Sequence, residues 1–356
     1  MAATMTDIAR EANVSISLVS KLLRNDPSLK VSPATKQRVL DVCKRMDGVR
    51  SLNVRLSDPC RVVVPVNRIF AHDSVDYIAK RSEGQAVQQI IEQQGGRLSV
   101  VFFVESQCLS TIEKLMDDPD YCNALLFFGG LMSTELAELL HRRKFPHICL
   151  NDKDSRYPVN TFFLDVQGAM RQVIDHLYDL GHRHIAYAGP TRQRLPHLVA
   201  ALVEHELTYH SQAYCLMGDY VPAHSDPDEG RKLGYEYFKR WLKNRPTHIT
   251  AIVAHNDYIA LGVIDAMHDA GLRPGHDLSV VGFDNIESGK TLNDEKPCLT
   301  TVDYPRTDIG KRAAERLLAQ HQKRENLITH ERYPARLVIR QSTGPVFISG
   351  VAESVE

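Results

Sequence analysis

Apolar positions recur along this chain at two different spacings, and the change falls near residue 60. Over residues 4–46 they repeat at the spacing of short amphipathic helices. Ile8, Ala9 and Ala12 make one stripe, Val19 and Leu22 a second, and Val39, Val42 and Met46 a third. Thr4 stands where it can cap the first helix, and Asp7 lies in its first turn, near the positive end of the dipole. Asn13 falls at the following turn, since Asn enters left-handed backbone more readily than most residues. Ser15 caps a second helix over 16–23, and the run RNDP (24–27) ends it. Ser32 and Pro33 open a third helix as cap and first-turn proline.

From residue 61 short apolar runs alternate with helix-length segments. RVVVPV (61–66), LSVVFFV (98–104), ALLFFGG (124–130) and HICLND (147–152) read as buried strands, with helices over 81–94, 110–117 and 134–144. The alternation restarts after 164. Helices over 167–180, 194–206, 230–243 and 258–270 are interleaved with strands HIAYAGP (184–190), YCLMGD (214–219), AIVAHND (251–257) and SVVGFDN (279–285). Such alternation builds parallel sheets covered by helices, so the expected class is α/β. Two successive units of similar size imply two lobes behind the small helical headpiece.

Composition narrows the function classes. The 356 residues exceed one compact core and suit two or three folding units. No run of about 18 apolar residues exists, so no membrane span is expected. The opening MAATMTDIAR has no apolar core and is interrupted by Asp7 and Arg10, which speaks against a secretory signal and for a cytoplasmic location. Seven scattered cysteines without a CxxC pair read as reduced thiols. The net charge of −1 hides an asymmetry: residues 1–60 hold ten Lys/Arg against six Asp/Glu, and the remainder 33 against 38. A basic module joined to a slightly acidic one suggests that only the first meets phosphates.

Two short helices joined by a tight turn and braced by a third have helix-turn-helix geometry, whose second helix can enter the DNA major groove. Its outward residues are Ile16, Ser17, Ser20 and Lys21. Lys21 can donate to guanine O6/N7, Ser17 can pair with either partner, and Ile16 can touch a thymine methyl. A plain three-helix bundle with a solvated lysine has the same spacing. In the larger domain the strand ends carry Asp152, Asp165, Asn256, Asp257, Asp284 and Asn285. Open α/β sheets bind ligands at such ends. Carboxylates and amides there can fork onto the hydroxyls of a polyol. Each also has a structural alternative, and Asp257 before a helix can equally be its cap. No dinucleotide or P-loop glycine motif is present, and neither His182 nor His255 belongs to a triad or metal spacing, so an enzyme is not expected, nor any cofactor or metal.

The segment TDIAREANVSISLVSKLLRND resembles the opening of the lactose-repressor/galactose-repressor family of bacterial transcription regulators. In that family D-[VI]-A-x-x-A-[GN]-V-S-x-x-T-V-S-R-x-[LVI]-N is diagnostic. Here it stands as Asp7-Ile8-Ala9, Ala12-Asn13-Val14-Ser15 and Val19-Ser20-Lys21. Leu18 replaces the usual Thr, Lys21 the usual Arg and Arg24 the usual Asn. Lys21 keeps the charge and loses the bidentate fork. The resemblance runs on through DHLYDLGHRHIAYAGP (175–190), AIVAHNDYIALGVIDAMHDAGLRPGHDLSVVGFDN (251–285), LTTVDYPRTDIGKRAAERLL (299–318) and RQSTGP (340–345).

This resemblance implies a helix-turn-helix headpiece plus a two-lobed sensor domain like periplasmic binding proteins, with crossovers near 164–168, 285–300 and 328–334. The implied divisions are a headpiece at 1–46, a hinge at 47–60, a first lobe at 61–164 with 300–330, a second at 165–299 with 331–345, and a tail at 346–356. Ile16, Ser17 and Lys21 take base-reading roles, and Thr4, Ser15, Ser20 and Ser32 lie near phosphates. In the hinge Arg55 matches the family Arg. Leu56 falls one position early for the family's minor-groove wedge, and the usual Pro is absent; a linker leucine is the alternative. The implied effector contacts are Tyr77, Ile78, Gly129, Asp165, Arg192, Tyr220, Asn256, Asp257, Asp284 and Tyr304. The expected partners are double-stranded operator DNA, a sugar-like small molecule and a second copy of the chain, a higher oligomer being possible. The rival readings are a sugar-binding module that has lost DNA binding and a sugar-modifying enzyme.

Overall fold

The computed structural model describes residues 5–23, 29, 31–45, 59–67, 82–128, 132–150, 157–190, 194–209, 227–244, 246–286, 298–323 and 328–346. Three helices open it: α1 (Met5–Glu11), α2 (Ile16–Leu23) and α3 (Pro33–Arg45). Ile8, Ala9, Ala12, Val19, Leu22, Val39 and Val42 meet in a core of their own, as their spacing requires. The chain turns out of α1 at Asn13, whose φ of 49° is left-handed. There the Val14 amide donates back to the Ala9 carbonyl at 2.9 Å, closing the helix end.

The first lobe is built on β1 (Arg61–Asn67), β2 (Arg97–Phe103), β3 (Ala124–Phe128), β4 (His147–Leu150), β5 (Thr161–Leu164) and β10 (His330–Tyr333). They form one sheet of order β10-β5-β4-β3-β1-β2, and every pairing in it is parallel. Its faces are covered by α4 (Ser82–Gln93), α5 (Cys108–Met116), α6 (Thr134–Arg143) and α11 (Arg306–Lys323). Alternation along β1 sorts the two cores. Val62 and Val64 pack with Val87, Ile91 and Leu317 on one side. Val63 packs with Ile112, Leu115 and Leu140 on the other.

The second lobe repeats the plan with β6 (Ile185–Ala188), β7 (Ala251–Ala254) and β8 (Ser279–Val281), again parallel. Helices α7 (Val166–Asp179) and α8 (Leu195–Glu204) cover one face, and α9 (Pro227–Leu242) and α10 (Asp257–Asp269) the other. Val281 bridges to Thr300. From there β9 (Thr301–Asp303) pairs antiparallel with β11 (Arg336–Val338).

The chain therefore passes between lobes at three places, beside Asp165, between Asp303 and Arg306, and between Tyr333 and Arg336. Two of the expected divisions move. Residues 300–303 are tied to the second lobe through Val281 and β11, whereas 331–333 lie in the first sheet, paired with β5. The expected strand over 214–219 and the hinge over 47–58 lie outside the described residues. Among the described residues, no helix is long and apolar enough to cross a membrane.

Candidate nucleic-acid interface and ligand cleft

Helix α2 is two-faced. Val19 and Leu22 are buried in the headpiece core. Ile16, Ser17 and Lys21 are exposed and Ser20 half-buried on the opposite side. Ile16 is 47% exposed there, so an apolar side chain stands on the outward face. Ser15 caps α2, its Oγ accepting from the Leu18 amide at 3.1 Å. Ser32 does the same for α3 through the Thr35 amide at 3.2 Å. Two of the three serines expected near phosphates thus first serve the helix ends, and the Ser32 hydroxyl also bonds that of Thr35 at 2.9 Å. Thr4, Arg55 and Leu56 lie outside the described residues.

In the larger domain the side chains converge on Asp284. β8 is prolonged by the Gly282 and Asp284 amides, which donate to the carbonyls of Thr300 and Val302 at 2.8 and 2.9 Å. The backbone then turns sharply, with φ of 113° at Asp284 and 50° at Asn285. Both values are costly for residues with a Cβ, and such conformations persist where surrounding bonds fix them. Asp284 Oδ1 stands 3.3 Å from Arg194 Nη2, 3.3 Å from Arg306 Nη2 and 3.5 Å from the Tyr304 hydroxyl. Arg194 also donates to the His255 carbonyl. Its guanidinium lies over the Phe283 ring, 3.7 Å from the centroid, and that of Arg306 lies over Tyr304 at 4.1 Å. Planar cations held on aromatic faces lose little freedom when they bind.

Beneath this cluster lies Asp257. Its expected place in the cleft is corrected by its burial, since it has no exposed surface. Its carboxylate accepts from the Thr301 hydroxyl at 2.5 Å and the Ile286 amide at 2.8 Å, tying α10 to the loop after β8 and to β9. Nor does it cap α10; Asn256 does, accepting from the Ile259 amide at 3.0 Å. Burial, with the Asp284 charge nearby, pushes the Asp257 carboxyl up to about 7. Asn285 is taken up in a similar way by Arg340, at 2.7 Å. Asp165 caps α7 through the Gly168 amide at 3.1 Å and remains half-buried. His197 pairs with Gln167 at 2.9 Å.

Of the residues expected to bind a ligand, Asp284 and Tyr304 come together, and Asn256 and Asp165 stand at helix starts. Tyr77, Ile78, Gly129, Arg192 and Tyr220 lie outside the described residues. The sequence reading missed Arg194 and Arg306. Each opens a helix directly after a strand-and-loop passage, which was the available signal.

Residues 174–343 match the periplasmic binding protein-like domain. Residues 4–48 match the model for bacterial regulatory proteins of the lacI family. The chain belongs to that family. Catabolite control protein A of Priestia megaterium is 26% identical over 355 residues, 96% of this chain and all of its own. The HTH-type transcriptional repressor CytR of Escherichia coli (strain K12) is 26% identical over 359 residues, covering 96% of each. Among solved structures, a lac repressor dimer bound to operator and the anti-inducer ONPF has a TM-score of 0.65 at 22% identity, over 97% of this chain and all of that one. Membership makes the chain a DNA-binding, effector-controlled regulator of a kind that dimerises. It is the membership, and not any missing catalytic group, that sets the enzyme reading aside.

Proposed function

We propose that this regulator is a repressor whose operator affinity is set by a sugar or sugar derivative bound between the lobes. A homodimer presents two headpieces to a pseudo-palindromic site, because one headpiece reads too few base pairs for useful specificity. Ile16, Ser17 and Lys21 read bases, and Thr4, Ser15, Ser20 and Ser32 approach phosphates. The hinge over 47–60, with Arg55 and Leu56, links the headpiece at 1–46 to the lobes.

The observation that carries the effector assignment is the convergence of Arg194, Arg306 and Tyr304 on the partly exposed Asp284. A carboxylate between guanidinium donors suits vicinal hydroxyls, which donate to the one and accept from the others. Asn256, Asp165 and Tyr304 extend the polar wall, and Tyr77, Ile78, Gly129, Arg192 and Tyr220 are further effector contacts by resemblance. Two structures of this fold carry cellobiose and ribose, which supports a sugar-like ligand.

Footprinting the purified protein on its own upstream DNA, with ribose, cellobiose, hexoses and sugar acids added in turn, tests the proposal. A protected site is expected, and its protection changes with one class of compound. Asp284→Ala keeps the footprint and loses the response, because effector and operator binding are thermodynamically linked. No protected site at low salt sinks the repressor reading. A footprint that no sugar or sugar derivative alters sinks the effector assignment.

A further inference from the structure

Four charged side chains of alternating sign cross the cleft. Glu83 on α4 and Arg306 at the start of α11 belong to the first lobe, and Asp284 and Arg194 to the second. Glu83 Oε1 lies 3.9 Å from Arg306 Nε, Arg306 Nη2 lies 3.3 Å from Asp284 Oδ1, and the same oxygen lies 3.3 Å from Arg194 Nη2. Only the middle link joins the two lobes.

Both partners of that link are held in place before they meet. Arg306 lies against the Tyr304 ring. One turn later Gly310 packs directly on the Glu83 backbone, where a Cβ would strike the Glu83 carbonyl. This close approach brings the start of α11 beside Glu83, whose side chain is 1% exposed. Across the cleft, the Asp284 amide is bonded to Val302, and its backbone keeps the left-handed turn. A pair between pre-placed groups gives up little side-chain freedom. The Arg306 and Asp284 side chains are only 17% and 18% exposed, so water and salt screen them less than a surface pair.

We propose that the Arg306–Asp284 pair is a latch that holds the lobes together when the cleft is empty, and that a ligand must take Asp284 from Arg306 to bind. Arg306 is thus a positioning residue and an internal competitor for the carboxylate. Its regulatory meaning rests on the effector reading above; the latch itself does not. Cutting the latch leaves Asp284 ion-paired with Arg194 alone, within the second lobe.

The test needs neither DNA nor ligand. Amide hydrogen exchange of the full chain is followed in peptides covering 82–87, from the first lobe, and 281–286, from the second. Arg306→Met removes the charge and keeps the stem; Arg306→Lys keeps the charge. With Arg306→Met, exchange rises about tenfold in both peptides, the scale of opening set by one partly buried ion pair. Arg306→Lys restores most of the protection. Asp284→Asn speeds exchange in 82–87, on the lobe to which it does not belong. The latch is overturned if Arg306→Met leaves 281–286 unchanged, or if Arg306→Lys exchanges as fast as Arg306→Met. Should Arg306→Met fail to fold, as judged by circular dichroism, Asp284→Asn decides alone: faster exchange in 82–87 supports the latch and unchanged exchange refutes it. Because no DNA or sugar enters, failure here leaves the repressor reading standing, and failure of the footprint leaves the latch standing.

Discussion

The face of α2 and the cluster around Asp284 are built in opposite ways. The α2 face comes from one short stretch of chain. Ile16, Ser17, Ser20 and Lys21 share a side because a helix turns every 3.6 residues, and Val19 and Leu22 fix which side points out. The cleft cluster draws on residues 83, 194, 284, 304 and 306, brought together by two sheets and two passages of the chain between lobes. One site is as stable as a single small core. The other depends on the relation of two larger ones.

That difference predicts very unequal tolerance to the same kind of damage. The headpiece core rests on a handful of side chains, and Ile8 among them has no exposed surface. Ile8→Ala costs about 3 to 4 kcal/mol, close to all that so small a core supplies. The expected outcome is an unfolded headpiece, complete loss of the DNA footprint, and an unchanged main transition in calorimetry. Ile252→Ala, equally buried in the second lobe, lowers that main transition and leaves the lobe folded. If both variants melt together, the two regions are one cooperative unit and the contrast fails.

Acid separates the regions next. No side chain of the headpiece is among the buried polar groups of the described residues, whereas the first lobe buries His147 at 5% exposure. Its Nδ1–H donates to the Phe145 carbonyl at 2.7 Å, and its Nε2 accepts from the Asn160 amide at 3.1 Å. The ring must therefore be neutral, and burial holds its pKa down to about 4. The unfolded chain takes up the proton first, near 6.5. The His147 contribution is flat above that pH and falls by roughly 3 kcal/mol as pH drops from 6.5 to 4. Asp257 acts in the reverse sense, because its raised pKa makes the folded form the better proton binder between about 7 and 3.8. Comparing wild type with His147→Gln cancels that contribution. The variant is less stable at pH 7 and loses less on acidification; parallel denaturation midpoints across this window would contradict the assignment.

How much was legible in the sequence follows the same division. Helices such as 16–23 and 134–143, and strands such as 61–67, lie within a residue or two of the expected bounds, because local periodicity dictates them. The strand HERY (330–333) gave no such signal. Its residues are polar or half-exposed, and it is a strand because it pairs in register with Thr161–Leu164. The short strands at 161–164, 301–303 and 336–338 went unnoticed because three or four residues are too few to show a period. In the cleft, Asp284 was reached first as a polar residue at a strand end, and Tyr304 through resemblance. Arg194 and Arg306 were not, since the one local signal, a helix start after a strand-and-loop passage, is shared by solvated arginines. Asp257 shows the converse error: a polar residue at a strand end was read as cleft lining, although Thr301 and Ile286, far along the chain, consume its carboxylate.

On the local side of the contrast, Lys21→Ala weakens binding to the footprinted site by about tenfold to hundredfold, the usual span for one base contact. Thermal stability is unchanged, because Lys21 is exposed and outside the core. Titrating DNA at fixed salt gives the number. Loss of equal size on unrelated DNA would recast Lys21 as a phosphate contact.

The smallest effect concerns the turn that aims α2. Asn13 pays for its φ of 49° with a Cβ that the left-handed region disfavours. Its surroundings ask for nothing from the side chain: Asn13 is exposed, and the bonds that close α1 are made by backbone, Asn13 to Arg10 at 3.2 Å and Val14 to Ala9 at 2.9 Å. Glycine adopts this conformation freely but is also freer when unfolded, so the two effects partly offset. Asn13→Gly should therefore shift headpiece stability by less than about 1 kcal/mol and leave the footprint intact. A loss of DNA protection without a loss of folding would mean that the Asn13 side chain itself meets DNA, and the reading surface would then extend beyond α2 into the turn before it.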